Sequence, residues 1–148
     1  MTTRTKRGRR VVRTADVIAT YRGTIDRFRG KLVMIERLKE PAGIACPGGH
    51  VDPGERPRQT AFREFKEETG LTLHGGTFLT ERKGKRRDPR YAMSKTRVYV
   101  GIATGTPRDE EGFTKVLFLD PRKVRALPKE RFAFDHASVL KTYFKRGR

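Results

Sequence analysis

The apolar residues of this chain are grouped into short runs separated by polar turns, a pattern that predicts β-strands. Each run is rich in β-branched, aromatic or other apolar residues and is bounded by glycine, proline or charged residues, as is typical of strands in a folded sheet. Such runs occupy 11–21, 31–38, 71–82, 95–105 and 113–120. The pattern therefore predicts a protein built largely from strands.

Helical periodicity is confined to a few segments between and after these strands. Ala61, Phe62 and Phe65 recur at helical spacing, Pro57 suits a first helical turn, and Gly70 marks a helix end, which together predict a helix at 57–69. A short helical turn is predicted at 121–127. A closing helix is predicted at 134–146, with these residues facing the core: Phe134, Val139, Leu140 and either Tyr143 or Phe144.

Strands on both sides of a helix, followed by more strands and a last helix, favour one α/β domain. We expect an α/β/α sandwich in which a mixed β-sheet is covered by helices on its faces. A chain of 148 residues suits a single domain, predicted at 11–148. Residues 1–10 are polar and basic, and we expect a disordered tail there.

Charge adds a class of partner to this picture. The chain has 35 Lys and Arg against 17 Asp and Glu, a formal net charge of +18, and its basic residues cluster at 1–10, 82–90 and 145–148. Such clusters attract either phosphorylated small molecules or nucleic acid, although the two terminal clusters also fit solvated ends. No apolar run is long enough to span a membrane or to form a signal peptide, so we expect a cytoplasmic protein without a membrane partner.

Acidic residues gather on the predicted helix despite the basic excess. Glu64, Glu67 and Glu68 stand at i, i+3 and i+4, so the three carboxylates share one helical face and repel one another. A divalent ion such as Mg²⁺ would relieve this repulsion, because hard cations prefer oxygen ligands. The alternative is a solvated acidic face on which Arg63 and Lys66 serve as partners.

The acidic face is part of a longer motif that resembles the Nudix box at every defined position. The motif residues are Gly49, Glu55, Arg63, Glu64, Phe65, Glu67, Glu68, Gly70 and Leu71. The resemblance implies the α/β/α sandwich and an Mg²⁺- or Mn²⁺-dependent enzyme that hydrolyses a nucleoside diphosphate linked to another group.

The resemblance also implies a role for each motif residue that could carry chemistry. Glu64, Glu67 and Glu68 would be metal ligands, with the Gly49 carbonyl as a further ligand. Glu55 and Arg63 would form a pair that shapes the preceding loop.

The catalytic base is left open between the helix and a loop outside it. Glu67 or Glu68 could accept the proton of the attacking water, and Glu110 or Glu111 could do so from the loop before the last strand. That loop also fits an ordinary exposed acidic turn.

Two further segments resemble short ADP-ribose pyrophosphatases. One is Asp88-Pro89-Arg90, where Tyr91 replaces a common glycine, and the other is Phe134-Asp135-His136. Asp88, Arg90 and His136 are therefore candidate substrate-binding residues. Asp88-Pro89 could instead form a simple turn, Asp135 a helix cap, and His136 part of the structure.

The sequence thus predicts an Mg²⁺-dependent hydrolase that converts ADP-ribose to AMP and ribose 5-phosphate. Alternative functions are a nucleoside triphosphate pyrophosphatase, an RNA 5′-pyrophosphohydrolase that uses the basic tails to bind nucleic acid, and a non-enzymatic nucleotide sensor. Proteins of this family and size are frequently homodimers, and the residues themselves leave the oligomeric state open.

Overall fold

The computed structural model describes residues 2–4, 10–85 and 87–146. Its elements, in chain order, are β1 (Thr2–Arg4), β2 (Arg10–Tyr21), β3 (Leu32–Arg37), β4 (Gly43–Ala45), β5 (Gly48–His50), α1 (Pro57–Thr69), β6 (Thr72–Lys85), β7 (Met93–Thr104), β8 (Thr114–Leu119), α2 (Pro121–Ala126) and α3 (His136–Lys145). Two short 3-10 helices, Asp26–Phe28 and Lys129–Arg131, lie in the connections.

The strands form one mixed sheet. Its main order is β4-β3-β2-β7-β6, while β8 pairs with β3 and both β1 and β5 pair with β2. The central β2 runs parallel to β7, and the other pairs are antiparallel. Because β2 lies at the centre, its side chains are distributed to both faces of the sheet.

The two faces of the sheet are covered by different helices. On one face, Ala15 and Val17 of β2 are buried in a cluster with Ala61 and Phe65 of α1. On the other face, Ile18 is buried in a second cluster that includes residues of α2 and α3. Successive strand residues point to opposite faces, so the alternation along β2 produces two cores. The predicted α/β/α sandwich is confirmed.

α2 and α3 are each shorter than predicted, and the largest difference is at the start of α3. α1 has the predicted bounds, and Gly70 ends it in the left-handed region at φ 74°, where glycine is favoured. α3 begins at His136, whereas Phe134 lies outside the helix at φ 55°. Phe134, predicted to face the core, is partly buried: it packs against the cluster of Ile35, Ala45 and Ala133 and also lines a cleft.

The strands β4 and β5 were not predicted, because strands this short contain too few residues to show a periodic pattern. β4 and β5 each contain three residues, and β5 is the glycine-rich Gly48–His50. Their backbones pair with β3 and β2, so their positions depend on the sheet and not on their own side chains.

Part of the predicted tail belongs to the sheet. The backbone of Thr2–Arg4 pairs with Arg10–Val12 of β2, so at Thr2–Arg4 and at Arg10 the structure differs from the predicted disordered tail. Backbone pairing of this kind needs no apolar side chains, which explains why the composition gave no sign of it. Residues 1 and 5–9 lie outside the described part of the chain. None of the described helices is long and apolar enough to cross a membrane.

Candidate active site

The acidic face predicted on α1 faces the strand β5. Glu64, Glu67 and Glu68 lie on adjoining turns, and their exposure differs sharply. Glu67 has half of its side chain exposed, Glu64 only 19%, and Glu68 is 6% exposed as a whole residue. A carboxylate removed from water needs a cation or hydrogen-bond donors, so Glu68, the most buried of the three, has the greatest need of such a partner.

Arg63 connects the acidic face to the loop before α1. Its guanidinium donates to both oxygens of Glu55, at 2.8 Å from Nε and 2.9 Å from Nη2, in a bidentate pair. Nη1 also donates to Glu64 at 2.9 Å and to Glu67 at 3.2 Å. The structure thus brings together Glu55 and Arg63, the two residues that the resemblance assigns to loop shape.

Glu55 in turn is tied to its own loop and to α1. It accepts hydrogen bonds from the Thr60 hydroxyl at 2.6 Å and from the Asp52 backbone N–H at 3.1 Å. The hydrogen bonds from Arg63, helped by that from Thr60, lower the pKa of Glu55 to about 2 despite desolvation. Glu55 is therefore ionised and bound at neutral pH.

Glu68 is held against the start of β5. Its Oε1 accepts a hydrogen bond of 2.7 Å from the Gly48 backbone N–H. Burial raises the pKa of Glu68 to about 8, an effect opposed by the Gly48 N–H and increased by the negative charges of Glu64, Glu110 and Asp16. This carboxylate therefore lies in surroundings that would favour a nearby positive charge.

The backbone of Gly49 approaches Glu64 so closely that no side chain would fit between them. A Cβ atom at Gly49 would lie 2.3 Å from Glu64 Cδ and 2.5 Å from Oε1. Only glycine allows this approach, which brings β5 backbone next to a carboxylate whose own pKa is raised by burial.

The donor set around β5 fits a hard divalent cation. Carboxylates of Glu64, Glu67 and Glu68 and the Gly49 carbonyl are all oxygen ligands, the type that Mg²⁺ and Mn²⁺ prefer. Within the described part of the chain, no three His, Cys, Asp or Glu side chains are already positioned together to hold a metal ion. Arg63 contacts Glu64 and Glu67 and compensates part of their charge.

Two arginines and an aromatic ring form a wall of the cleft that Glu68 also lines. Arg90 pairs with Asp88, with 2.7 Å between Nη2 and Oδ2 and 3.0 Å between Nε and Oδ1. Its guanidinium also lies 5.5 Å from the centre of the Phe134 ring, and that of Arg37 lies 5.1 Å from the same ring. The cleft that these side chains line also includes Glu68 and His50. It therefore combines carboxylates with cations and an aromatic ring.

Asp88 and Arg90, two predicted substrate-binding residues, are thus at the cleft. Burial would raise the pKa of Asp88, but the hydrogen bonds from Arg90 outweigh it and hold the pKa below its ordinary value. The backbone N–H of Arg90 also donates to Asp88, at 3.0 Å. Asp88 therefore holds both the side chain and the backbone of Arg90. The Asp88-Pro89 turn and the cleft position coexist, so the two interpretations of this segment are compatible.

Both ring nitrogens of His136, a predicted substrate-binding residue that lines the cleft, are engaged by other parts of the protein. It is 4% exposed. Nδ1 accepts a 2.9 Å hydrogen bond from the Cys46 backbone N–H, and Nε2 lies 3.1 Å from Asp16. Because Nδ1 is an acceptor, the ring proton is assigned to Nε2, which donates to Asp16. His136 therefore links α3 to β2 and to the strand end before β5.

Asp135 holds the loop between β6 and β7 instead of capping α3 with its side chain. Arg87 donates to both of its carboxylate oxygens, at 2.7 Å from Nε and 2.8 Å from Nη2. Arg87 Nη1 also donates to Thr96 at 3.0 Å and Ser94 at 3.2 Å. This network connects the segment that carries Asp88 and Arg90 to α3 and β7.

The two candidate bases outside the helix lie in a turn before β8. Glu110 is half-buried and its charge acts on both Glu64 and Glu68, raising the pKa of each. Glu111, the next residue, is exposed. Glu110 therefore acts on the acidic face through its charge, whereas Glu111 is exposed to solvent.

Sequence reasoning missed several residues of the cleft, among them three charged ones: Asp16, Arg37 and Arg87. Asp16 is a carboxylate within the apolar run of β2, and this break in the pattern could have identified it. Arg37 ends β3 and Arg87 belongs to a basic run, so neither differs from its neighbours in the sequence. Their roles arise from contacts that only the fold creates.

Known proteins resemble this chain along most of its length. The NUDIX domain family model matches residues 16–143. An ADP-ribose pyrophosphatase of Methanocaldococcus jannaschii is 31% identical over 117 residues, covering 78% of this chain and 66% of that protein. An asymmetrical bis(5′-nucleosyl)-tetraphosphatase of Caenorhabditis elegans is 44% identical over 79 residues, covering 47% of this chain and 57% of that protein. The chain thus spans about two thirds or less of the length of these relatives.

Solved structures share the fold. The NUDIX domain of Shewanella oneidensis NrtR, crystallised with ADP ribose, superposes with a TM-score of 0.76 at 20% identity and covers 93% of this chain and 88% of that domain. A MutT protein of Methanosarcina mazei superposes with a TM-score of 0.75 at 13% identity, covering 93% of this chain and 96% of that one. At these identities the likeness concerns the architecture.

Proposed function

The chain belongs to the NUDIX domain family, and we propose on this basis that it is a metal-dependent hydrolase of a phosphoanhydride bond, with ADP-ribose as its substrate. The observation that carries the proposal is the carboxylate face of α1 packed against the β5 glycines. There Glu68 is buried beside Gly48, and Glu64 touches the Gly49 backbone.

A divalent cation would be held by Glu64, Glu67, Glu68 and the Gly49 carbonyl. Mg²⁺ or Mn²⁺, when bound, offsets the charge of the diphosphate and lowers the pKa of water. The chain prepares this site through Arg63, whose bidentate pair with Glu55 fixes the β5–α1 loop relative to the helix. The buried position of Glu68 favours it as a ligand, because a cation offsets the cost of ionising a desolvated carboxylate.

Hydrolysis requires a group that accepts the proton of the attacking water. Water adds to one phosphorus as the bond from that phosphorus to the bridging oxygen breaks, and the bridging oxygen leaves with the second phosphate. For ADP-ribose, the products are AMP and ribose 5-phosphate. Glu67 and Glu110 are the candidates for the base, because Glu67 is half-exposed and Glu110 acts electrostatically on the ligands without belonging to their helix.

The chemistry of the wall that holds the two arginines supports a diphosphate joined to two bulky groups. Arg37 and Arg90 place two guanidinium groups beside Phe134, a combination suited to phosphate or ribose oxygens and to a flat base. The name of the archaeal relative, which matches over most of this chain, points to ADP-ribose in particular.

The test is a comparison of kcat/KM values for ADP-ribose, dinucleoside polyphosphates, dNTPs and 5′-triphosphate RNA in Mg²⁺. We expect ADP-ribose to have the highest kcat/KM. The match to the nematode tetraphosphatase makes the dinucleoside polyphosphates the most informative competitors. Tight nucleotide binding with no turnover of any substrate would refute the enzyme and favour a sensor.

A further inference from the structure

Three cations lie in direct register across the sheet, on the face opposite the cleft. Arg13 of β2 pairs with Lys95 of β7, which pairs in turn with Lys83 of β6. Directly opposed residues point to the same face, and like charges in this arrangement destabilise a sheet. The row therefore has a cost to folding that an anion would relieve.

Other residues extend this row into a surface, which we call the basic sheet face. Its members are Arg13, Lys83, Lys85, Lys95 and Arg97, with Glu81 and Phe78 among them. Glu81 is the one carboxylate of this set, at 3.2 Å from Arg97 and 3.8 Å from Lys95. Five cations against one acid leave the surface strongly positive.

An aromatic ring stands within the basic sheet face. Phe78 is 48% exposed, an uncommon state for a large apolar side chain. Its ring packs edge-on against Tyr99, and the Arg97 guanidinium lies 4.8 Å from its centre. Unpaired bases stack on exposed aromatic rings that have cations beside them. Phe78, packed on Tyr99 and next to Arg97, is such a ring.

The basic sheet face is separate from the cleft because of strand alternation. Thr14 and Thr96 share a hydrogen bond of 2.6 Å and line the cleft, whereas their neighbours Arg13, Lys95 and Arg97 point to the other face. Ala15 and Val17, which follow Arg13 on this face, pack against α1, so the basic sheet face lies beside α1, and a ligand there would be outside the cleft that Thr14 and Thr96 line.

We propose that the basic sheet face binds single-stranded nucleic acid. The cation row crosses three strands, about 10 Å of open surface at ordinary strand spacing, which suits an extended chain of phosphates better than a single nucleotide. Phe78 selects for unpaired bases, since the bases of a duplex are already stacked. This inference goes beyond the proposed hydrolase and does not depend on it.

The first test measures binding of fluorescent single-stranded RNA and DNA by the full chain over a range of salt concentrations. Each cation that contacts a phosphate of a single strand contributes about 0.7 to the slope of log K against log salt. We expect the double variant Lys83→Gln/Lys95→Gln to lower the slope by about 1.4. The matched control Lys123→Gln/Lys141→Gln removes two exposed charges from α2 and α3 and should leave the slope unchanged. Equal losses in both variants would overturn the proposal, because binding would then follow net charge alone.

The second test removes the ring and keeps the cations. Phe78→Ala should weaken single-strand binding about tenfold with an unchanged salt slope, since stacking does not depend on counterion release. A duplex of the same length should bind more weakly than either single strand and should not respond to Phe78→Ala. Unchanged single-strand affinity in this variant would contradict a stacking surface. Thermal unfolding monitors folding in both tests. The variant Lys83→Gln/Lys95→Gln should unfold at no lower temperature than the parent, because it removes two of the three cations in the opposed row.

Discussion

Glu68 is buried, accepts a hydrogen bond from the backbone and is repelled by neighbouring carboxylates. These surroundings favour a bound cation, but without one they reduce the stability of the fold. In the metal-free protein its pKa is raised from 4.5 to about 8. The folded state therefore retains a proton that the unfolded state has lost, and stability falls as the pH rises from 4.5 to 8. Glu68, which we propose as a metal ligand, thus destabilises the metal-free fold at neutral pH.

Glu68→Gln should make the metal-free protein more stable at high pH. Glutamine keeps an oxygen that can accept the Gly48 N–H but never ionises, so the variant should avoid the cost of a buried charge. We expect a gain on the order of 3 kcal/mol at pH 9 and little difference at pH 4. Urea unfolding in EDTA at the two pH values measures it. A loss of stability at pH 9 would show that the carboxylate is stabilised in a way that this structure does not contain.

Glu55 should show the opposite pH dependence. Hydrogen bonds from Arg63 and Thr60 lower its pKa to about 2, so it stabilises the fold above pH 4.5, and that contribution is lost as the pH falls towards 2. Glu55→Gln should cost about 1 to 2 kcal/mol at pH 7, after allowance for solvent screening. Urea unfolding of both proteins from pH 7 to pH 3 measures the difference, which should narrow steadily. A constant difference would mean that the role of Glu55 is steric.

Between elements, the loop after β6 and the start of α3 depend on one side chain. Arg87 joins Asp135 in a bidentate pair and also reaches Ser94 and Thr96 of β7. Arg90 and Phe134, which line the wall of the cleft, lie within a few positions of this pair. Their placement therefore depends on a contact between segments far apart in the chain.

Arg87→Lys should loosen this contact while keeping the positive charge. A lysine cannot form the planar bidentate pair, so the wall should lose its fixed position relative to the acidic face. We expect KM for ADP-ribose to rise about tenfold with a smaller change in kcat, because the carboxylates of α1 remain in place. Asp135→Asn, which weakens the same pair from the other side, should have a similar effect. If kcat falls and KM stays constant, the pair supports the reacting groups and not the wall.

For the molecule as a whole, apolar periodicity and the sequence motif predicted those features that depend on residues close together in the chain. The bounds of α1 and the sandwich followed from apolar spacing, and Glu64, Glu67 and Glu68 followed from their common helical face. The positions of Arg37, Asp16 and Arg87 could not be predicted, because their partners lie on other elements. His136 illustrates the limit, since its two ring nitrogens are used by Cys46 and Asp16, which are 90 and 120 positions away.

The basic excess of the chain is likewise distributed by the fold. The run at 82–90 was predicted to act as one cluster, but its residues separate to different places. Lys83 and Lys85 belong to the basic sheet face, Arg87 supports the loop, and Arg90 lines the cleft. Alternation along β6 places Arg82, which donates to Thr142 of α3, on the face opposite Lys83 and Lys85, and Arg87 and Arg90 lie in the loop after the strand. Charge density in the sequence therefore does not identify a single binding surface.

The most direct test of the central claim is the Mg²⁺ dependence of ADP-ribose hydrolysis by the parent protein and Glu68→Gln, followed by ³¹P NMR of the products. The claim predicts that AMP and ribose 5-phosphate form in Mg²⁺, that EDTA abolishes the reaction, and that the folded variant turns over at least about 100-fold more slowly. Near-parental turnover by the variant in Mg²⁺ would contradict the assignment of the acidic face of α1 as the metal-binding site.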